Sequence, residues 1–160
     1  MAALYHFYGI PKYQLPWKKF GIFKTYPLDE KLPIFRGFDD MFYMPHSRHT
    51  EVRKADIDKV KDLRIIATSP EAGVSIVMSR EGRDFYILGH LEYAPDTLDN
   101  EYHRDLGKRD DVALPQHYYH DDDPARGYKV RWRSAANLFY SNWIDYYIYQ
   151  ETPYDINEIK

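Results

Sequence analysis

The stretch Phe85-Tyr86-Ile87-Leu88-Gly89-His90-Leu91-Glu92 indicates the fold class, because an apolar strand ends there in a polar pair. His90 and Glu92 are two positions apart, so in an extended segment their side chains point to the same side. A histidine beside a carboxylate can act as a general base whose imidazole the carboxylate orients. The same spacing fits a hydrogen-bonded surface pair or metal ligation, and the pattern leaves these alternatives open.

The elements on both sides of this stretch predict an α/β fold. Strands are predicted at residues 20–26, 39–44, 63–67, 74–78 and 85–88. The second strand should end at Pro45 and place His46-Ser47-Arg48-His49 in a loop. The predicted helices are the last turns of one that Gly9 ends, one at residues 96–106 that Gly107 ends, and one at residues 134–149. Loops are predicted at residues 12–17 and 108–128.

The composition limits the classes of protein that fit the chain. Its 160 residues suit one domain, which at that length needs neither disulfides nor a metal to fold. There is no cysteine, which excludes a disulfide framework, cysteine-ligated zinc and a cysteine nucleophile from this chain. The net charge of −3 argues against a nucleic-acid partner, and no apolar run approaches the ~20 residues of a membrane helix. We therefore expect a cytoplasmic protein without a membrane anchor.

Other polar residues are candidates for ligand binding. Ser47 lies beside Arg48, and a hydroxyl next to a guanidinium can bind a small carboxylate. A solvated ion pair between Arg48 and Glu51 is the alternative. Arg104 follows the candidate pair closely in sequence, although an arginine on a helix is usually solvated. Lys18 directly follows the predicted loop at residues 12–17 and has no special significance from its pattern alone.

The histidine-rich segments are candidates for metal binding. The run His117-Tyr118-Tyr119-His120-Asp121-Asp122-Asp123 contains imidazole and carboxylate groups, and His46 and His49 raise the same question. No second cluster of matching spacing completes either set, so we assign no metal. The sequence also contains no glycine-rich phosphate-binding loop.

Seven blocks of sequence, taken in order, resemble the homoserine O-acyltransferase family, of the homoserine O-succinyltransferase type. They are Tyr8-Gly9-Ile10-Pro11-Lys12, Arg36-Gly37-Phe38-Asp39-Asp40, Pro45-His46-Ser47-Arg48, Gly89-His90-Leu91-Glu92-Tyr93, Trp132-Arg133-Ser134, Asn142-Trp143 with Tyr146-Tyr147, and Thr152-Pro153-Tyr154-Asp155. The resemblance implies the flavodoxin-like α/β fold of class I glutamine amidotransferases. It further implies that residues 1–160 are only the C-terminal part of one such domain.

The resemblance also implies acyl transfer in methionine biosynthesis. In that family a cysteine takes the acyl group from acyl-CoA, and the γ-hydroxyl of homoserine then takes it from the cysteine. His90 resembles the general base and Glu92 its orienting partner. The residues that resemble substrate contacts are Lys18, Ser47 and Arg104, with Arg48 as an additional one. Acetyl-CoA or succinyl-CoA would be the co-substrate, with no other cofactor, and the aromatic-rich motifs are more typical of the acetyl-using members.

The family's cysteine would lie a few residues upstream of Ala2. We expect a truncated reading of a longer protein, because the pair His90 and Glu92 stands alongside the binding motifs; a natural half without catalysis is the alternative. Such a half could bind homoserine or serve a regulatory role. A glutamine amidotransferase-like hydrolase would share the pair but not the blocks at Pro45 and Trp132. The final aromatic helix fits the core or the interface of a homodimer.

We predict that the purified 160-residue chain forms no acyl-homoserine from homoserine and either acyl-CoA, because it contains no cysteine to carry the acyl group. Mass spectrometry of the reaction mixture measures this, with an active homoserine acyltransferase as positive control. Product above the protein-free background would contradict the prediction.

Overall fold

A five-stranded sheet forms the centre of the computed structural model, which describes residues 1–108 and 112–149. The strands are β1 (Tyr13–Pro27), β2 (Phe42–Glu51), β3 (Leu63–Ser69), β4 (Gly73–Ser79) and β5 (Phe85–Ile87). Their order across the sheet is β2-β1-β3-β4-β5, and each neighbouring pair is antiparallel. β2 and β5 are therefore the outer strands of this sheet.

Four helices flank the sheet within the described ranges. They are α1 (Ala2–Tyr8), α2 (Lys54–Ile57), α3 (Thr97–Leu106) and α4 (Arg133–Trp143), and a π-helical turn at Ile144–Ile148 continues α4. Gly9 ends α1 in the left-handed conformation, at φ 67°, which costs glycine little. None of the helices described here has the length and apolar character needed to cross a membrane.

The structure confirms the predicted α/β class, the strands at residues 20–26, 63–67 and 74–78, and the helix ends at Gly9 and Gly107. The predicted helix at residues 134–149 corresponds to α4 and its π-helical turn, which together keep a helical backbone from Arg133 to Ile148. The block Thr152-Pro153-Tyr154-Asp155 lies outside the described residues, as do residues 109–111 of the predicted loop at 108–128.

Two predicted loops are instead strands. β2 continues through Pro45 to Glu51, because an outer strand tolerates a residue that cannot donate a ladder hydrogen bond. β1 begins at Tyr13, which pairs with Glu51, so most of the predicted loop at residues 12–17 belongs to the strand. The register between β1 and β2 breaks after Gln14 and resumes at Lys19. The residues between them form a bulge, so their sequence lacks the regular alternation of a paired strand.

The sheet curls until the turn after β5 lies against β2. The His90 N–H donates a hydrogen bond of 2.8 Å to the carbonyl oxygen of Pro45. Gly89 permits this approach, because a Cβ there would lie 2.7 Å from the same oxygen and would also overlap the Met44 side chain. The curl therefore brings residues of β2 beside the segment that follows β5.

Three apolar clusters hold the elements together. One lies beneath α4, and a second packs α1 and α2 against β3 and β4. The third supports α3 and the segment after β5, and its members are Phe20, Ile22, Leu98, Tyr118, Tyr119 and Trp132. The buried Trp132 indole also donates from Nε1 to the Tyr93 carbonyl oxygen at 3.0 Å. This bond ties the segment after β5 to the start of α4.

His46 is a polar side chain enclosed in this framework. Its imidazole is fully buried, with Nδ1 at 3.4 Å from the Arg48 Nε donor. Its Nε2 atom has no hydrogen-bond partner among the described residues. Burial, and next the positive charge of Arg48, lower the pKa of His46 to about 3, so the ring is neutral at pH 7.

We predict that the free energy of unfolding falls in mild acid, because the His46 ring is buried in its neutral form. The pKa of the ring rises from about 3 in the folded chain to 6.5 when it unfolds, so only the unfolded chain gains this proton between those values. The associated stability is complete above pH 6.5 and falls as the pH decreases toward 3. Urea unfolding between pH 6 and 5 should show a decline steeper by about 1 kcal/mol per pH unit in the native chain than in His46→Gln.

The control is His103→Gln, which alters an exposed histidine of α3 and should keep the native pH dependence. Equal slopes for the native chain and His46→Gln would show that His46 takes up its proton without unfolding.

Candidate active site

A cavity of about 480 Å³ opens where β1, β2, the segment after β5 and α3 meet. It brings together four of the six residues that the resemblance implies, which are Lys18, Ser47, His90 and Arg104. The fifth, Glu92, contacts His90 directly. The other lining residues are His49, Tyr93, Glu101, Asp105 and Lys108. Residues that are as much as 90 positions apart, from Lys18 to Lys108, thus share one site.

His90 is held from three directions. Its Nδ1 atom lies 2.8 Å from Glu92 Oε1, and its backbone N–H bonds to Pro45. The ring of Tyr93 stacks on the imidazole at 4.3 Å between centroids, with the planes 12° apart. Because the carboxylate engages Nδ1, the ring is oriented so that Nε2 is the nitrogen for proton exchange with a ligand. This is the arrangement of a general base with its orienting acid.

Lys18 reaches the cavity because β1 is irregular at that point. Residues 15–18 of β1 stand opposite the single residue His49 of β2, and such bulges redirect side chains near sites. The Lys18 ammonium lies 3.2 Å from carboxylate oxygens of both Glu101 and Asp105. It also lies over the ring of Phe20, 3.8 Å from its centroid. The lysine is therefore a positioned cation of the cavity wall.

β2 sends alternate side chains to opposite faces. His46 and Arg48 point into the interior, whereas Ser47 lies between them on the cavity side and donates its hydroxyl hydrogen to Glu101 Oε2. The Arg48 guanidinium is buried and donates to the carbonyl oxygens of Thr50 and Ala72. Arg48 therefore does not line the cavity. It forms neither the ligand contact nor the solvated ion pair with Glu51 that the sequence suggested.

Glu101 is the central acceptor of the site, and the sequence analysis missed it. Its carboxylate accepts hydrogen bonds from Ser47, Tyr93 and Lys18. Burial favours the neutral acid, but these three hydrogen bonds together outweigh burial and lower the pKa of Glu101. One signal could have revealed it: Glu101 precedes Arg104 by three positions, which places both on one face of α3.

Arg104 lies at the mouth of the cavity. Its side chain is 55% exposed, and its guanidinium contacts the Asp105 carboxylate at 2.9 Å. Free donor positions of such a group can take a ligand carboxylate in a bidentate pair. With Lys18 and Glu101 further inside, the cavity presents both signs of charge within reach of the His90 ring. That combination suits a small zwitterion better than a simple anion or an apolar molecule.

A second cavity of about 510 Å³ adjoins the first and shares Lys18, His49 and Asp105 with it. Its wall mixes apolar and aromatic side chains with amides, namely Leu15, Trp17, Phe20, Leu114, Gln14 and Gln116. Trp17 is 71% exposed at this wall. The two cavities therefore meet at the bulged part of β1, through the shared residue Lys18.

The histidine-rich run at residues 117–123 forms ordinary polar contacts. His117 Nε2 lies 3.0 Å from Glu71 Oε2, and the two tyrosines that follow are buried. Within residues 1–108 and 112–149, no three histidine or carboxylate side chains converge as a set of metal ligands.

We predict that Gly89→Ala disturbs the site through the backbone. The added Cβ would lie 2.7 Å from the Pro45 carbonyl oxygen, so the segment after β5 must move away from β2. The His90 amide should then exchange with solvent deuterium faster, and the free energy of unfolding should fall by roughly 1–3 kcal/mol. Gly107→Ala is the control, because its nearest neighbour lies at an ordinary 3.7 Å. Unchanged protection of the His90 amide in Gly89→Ala would refute the prediction.

Comparisons with known proteins support the resemblance. The family model described as homoserine O-succinyltransferase matches residues 1–154. A homoserine O-acetyltransferase of Phocaeicola vulgatus is 58% identical over 159 residues, which cover 99% of this chain and 52% of the relative. A homoserine O-acetyltransferase of Acetivibrio thermocellus is 53% identical over 99% of this chain and 52% of its own length. The chain therefore spans about half the length of these curated relatives.

The solved structures give the fold. A glutamine amidotransferase from Thermotoga maritima superposes with a TM-score of 0.55 at 14% identity, over 85% of this chain and 54% of that one. At this identity the likeness shows a glutamine amidotransferase-like fold and nothing about activity. The family match over nearly the whole chain, and relatives at more than half identity, lead to one conclusion: this chain belongs to the homoserine O-succinyltransferase family.

Proposed function

We propose that this chain provides the acceptor-binding and proton-transfer part of an enzyme that transfers an acyl group from acyl-CoA to homoserine, in methionine biosynthesis. The observation that carries the proposal is the oriented pair of His90 and Glu92 in one cavity with Lys18, Ser47 and Arg104. The names of the relatives reported above, which are homoserine O-acetyltransferases, favour acetyl as the group transferred. In this proposal the chain is the C-terminal portion of a single domain, and the nucleophile comes from outside it.

His90 would serve both half-reactions. A cysteine thiol from outside the chain gives its proton to Nε2 of His90 while its sulfur bonds to the acyl carbon. The bond from that carbon to the CoA sulfur then breaks, and CoA leaves with the proton. In the second half-reaction the homoserine hydroxyl gives its proton to Nε2 and forms the ester, and the released cysteine sulfur recovers the proton. Glu92 stabilises the imidazolium that forms each time.

The polar residues of the cavity would bind the acceptor. Homoserine carries a carboxylate, an ammonium group and a hydroxyl on a short chain. Arg104 at the mouth is suited to the carboxylate, because a guanidinium offers two parallel donors. Ser47 and Lys18, deeper in the cavity, would guide the hydroxyl end toward Nε2 of His90.

The adjoining cavity would receive the acyl donor. Its apolar and amide wall suits the flexible arm of a CoA ester, which alternates methylene and amide groups. The shared residues Lys18 and His49 lie where that arm would enter the acceptor cavity. The CoA ester is a co-substrate, and the proposal needs no other cofactor. A cytoplasmic location and a homodimer are further parts of the proposal, for cell fractionation and sedimentation to test.

We predict that this chain can replace the matching 159-residue stretch of the Phocaeicola vulgatus relative without loss of acyl transfer to homoserine. Turnover with acetyl-CoA and with succinyl-CoA, measured separately, identifies the donor. His90→Ala in this chimera should lower turnover by several orders of magnitude, as loss of a general base does. Arg104→Gln should chiefly raise KM for homoserine, because it removes a binding contact from ground state and transition state alike.

The matched control is His103→Ala, which removes an exposed histidine that lies outside the cavity lining. It should retain the turnover of the unmodified chimera. A His90→Ala chimera as active as the His103→Ala one would exclude His90 as the general base.

A further inference from the structure

We propose that Tyr93 and Glu101 are positioning residues that link the ligand-binding wall of the cavity to the His90 imidazole. The inference rests on the proposed function only in treating His90 as the general base. Neither residue stood out from the sequence motifs as part of the reaction. Their role follows from their contacts. Tyr93 contacts both His90 and Glu101, and Glu101 also contacts the ligand-binding residues Ser47 and Lys18.

Tyr93 is fixed at both ends and offers its face to His90. Its carbonyl oxygen accepts a hydrogen bond from the buried Trp132 indole at 3.0 Å. Its hydroxyl donates to Glu101 Oε1 at 2.9 Å. Between these anchors the ring lies nearly parallel to the imidazole, 4.3 Å away. The face of an electron-rich ring attracts a cation, so the stack favours the imidazolium form of His90.

Glu101 joins this stack to the ligand-binding residues. One carboxylate oxygen, Oε1, accepts from Tyr93, and the other, Oε2, accepts from Ser47 and Lys18. A ligand that accepts hydrogen bonds from Ser47 or Lys18 would draw these donors away from Oε2 of Glu101. The Glu101 carboxylate would then keep more negative charge to interact with the Tyr93 phenol. The phenol ring would then become a better partner for a positively charged imidazole. Ligand arrival and proton uptake by His90 are thereby coupled through one carboxylate.

Other charged groups also face His90, and each of them contributes to the electrostatic environment in which its ring titrates. Glu92 contacts Nδ1, and His46 lies close enough to interact electrostatically from the interior. The cavity side adds Lys18, His49, Arg104, Asp105 and Lys108. Substitution of Tyr93 leaves all of these groups in place and removes one of the three hydrogen-bond donors to Glu101. A change in the titration of His90 in such variants therefore reports on the ring, its hydroxyl and the bond from that hydroxyl to Glu101.

The test is an NMR titration of the His90 ¹³Cε1 signal, without substrate, in the 160-residue chain and in the chimera. Tyr93→Leu removes the stack and should lower the pH midpoint by about half a unit. Tyr93→Phe keeps the ring and loses the hydroxyl, so the midpoint should fall by less. The ring-current shift of the His90 Hε1 proton provides a second measurement, which Tyr93→Phe should keep and Tyr93→Leu should lose.

A double-mutant cycle separates the contribution of Glu101. If Glu101 acts through Tyr93, Glu101→Gln should lower the pH midpoint of His90 in the native chain. The same substitution should have a clearly smaller effect in the Tyr93→Phe variant. Equal effects in both backgrounds would mean that Glu101 acts on His90 directly, and the link would be wrong. Tyr102→Phe is the matched control, because it removes a hydroxyl one position from Glu101 on a side chain that packs against Tyr119 and does not line the cavity.

An unmoved midpoint in Tyr93→Leu, or an equal shift in Tyr102→Phe, would overturn the inference. The titration uses no substrate, so its outcome is independent of the acyl-transfer assay. An inactive chimera with normal coupling would refute the proposed function alone. An active chimera whose His90 does not respond to Tyr93 would refute the link alone.

Discussion

The close contact between the turn after β5 and the outer strand β2 determines where the candidate catalytic groups lie. The hydrogen bond from the His90 N–H to the Pro45 carbonyl oxygen sets the distance between a loop and a strand that are far apart in the order of the sheet. Ser47 follows Pro45 by two positions, so the same contact helps to place Ser47 and His90 in one cavity. Proline at position 45 suits this role, because its carbonyl can still accept a bond although the residue cannot donate one. Glycine at position 89 allows the two backbones to approach.

The charges of the site are balanced around a single partly buried carboxylate. Glu101 would be costly to ionise without partners, and its three hydrogen-bond donors offset that cost. Lys18 benefits in the same way from two carboxylates at 3.2 Å. Such a network keeps its side chains in defined positions before any ligand arrives, and preorganised groups favour both selective binding and catalysis. The exposed Arg104 is the member with the greatest freedom to meet an incoming carboxylate.

The abundance of tyrosine has a structural explanation in this fold. Tyr118 and Tyr119 are fully buried, and their hydroxyls donate to the Pro95 carbonyl oxygen and the Asp99 carboxylate. A buried tyrosine contributes apolar area and needs one polar partner, which loops and helix ends supply. Because these rings support α3 and the segment after β5, the aromatic core holds the residues that line the cavity. Local patterns predicted the helix ends and the inner strands, where a glycine or a run of β-branched residues dominates the local preference.

The sequence by itself determined the family, the α/β class and the set of residues from which a site could form, because those depend on residue identities and their local spacing. It also indicated that His90 and Glu92 form a pair, since two positions along an extended segment share one side. Only the tertiary structure decided that Lys18, Ser47, His90 and Arg104 line one cavity, that Arg48 faces the interior and that Glu101 joins the cavity side chains. These outcomes depend on the curl of the sheet and on a bulge opposite His49, both of which arise from contacts between distant segments. No local pattern encodes such contacts, because each of them depends on how the whole sheet packs.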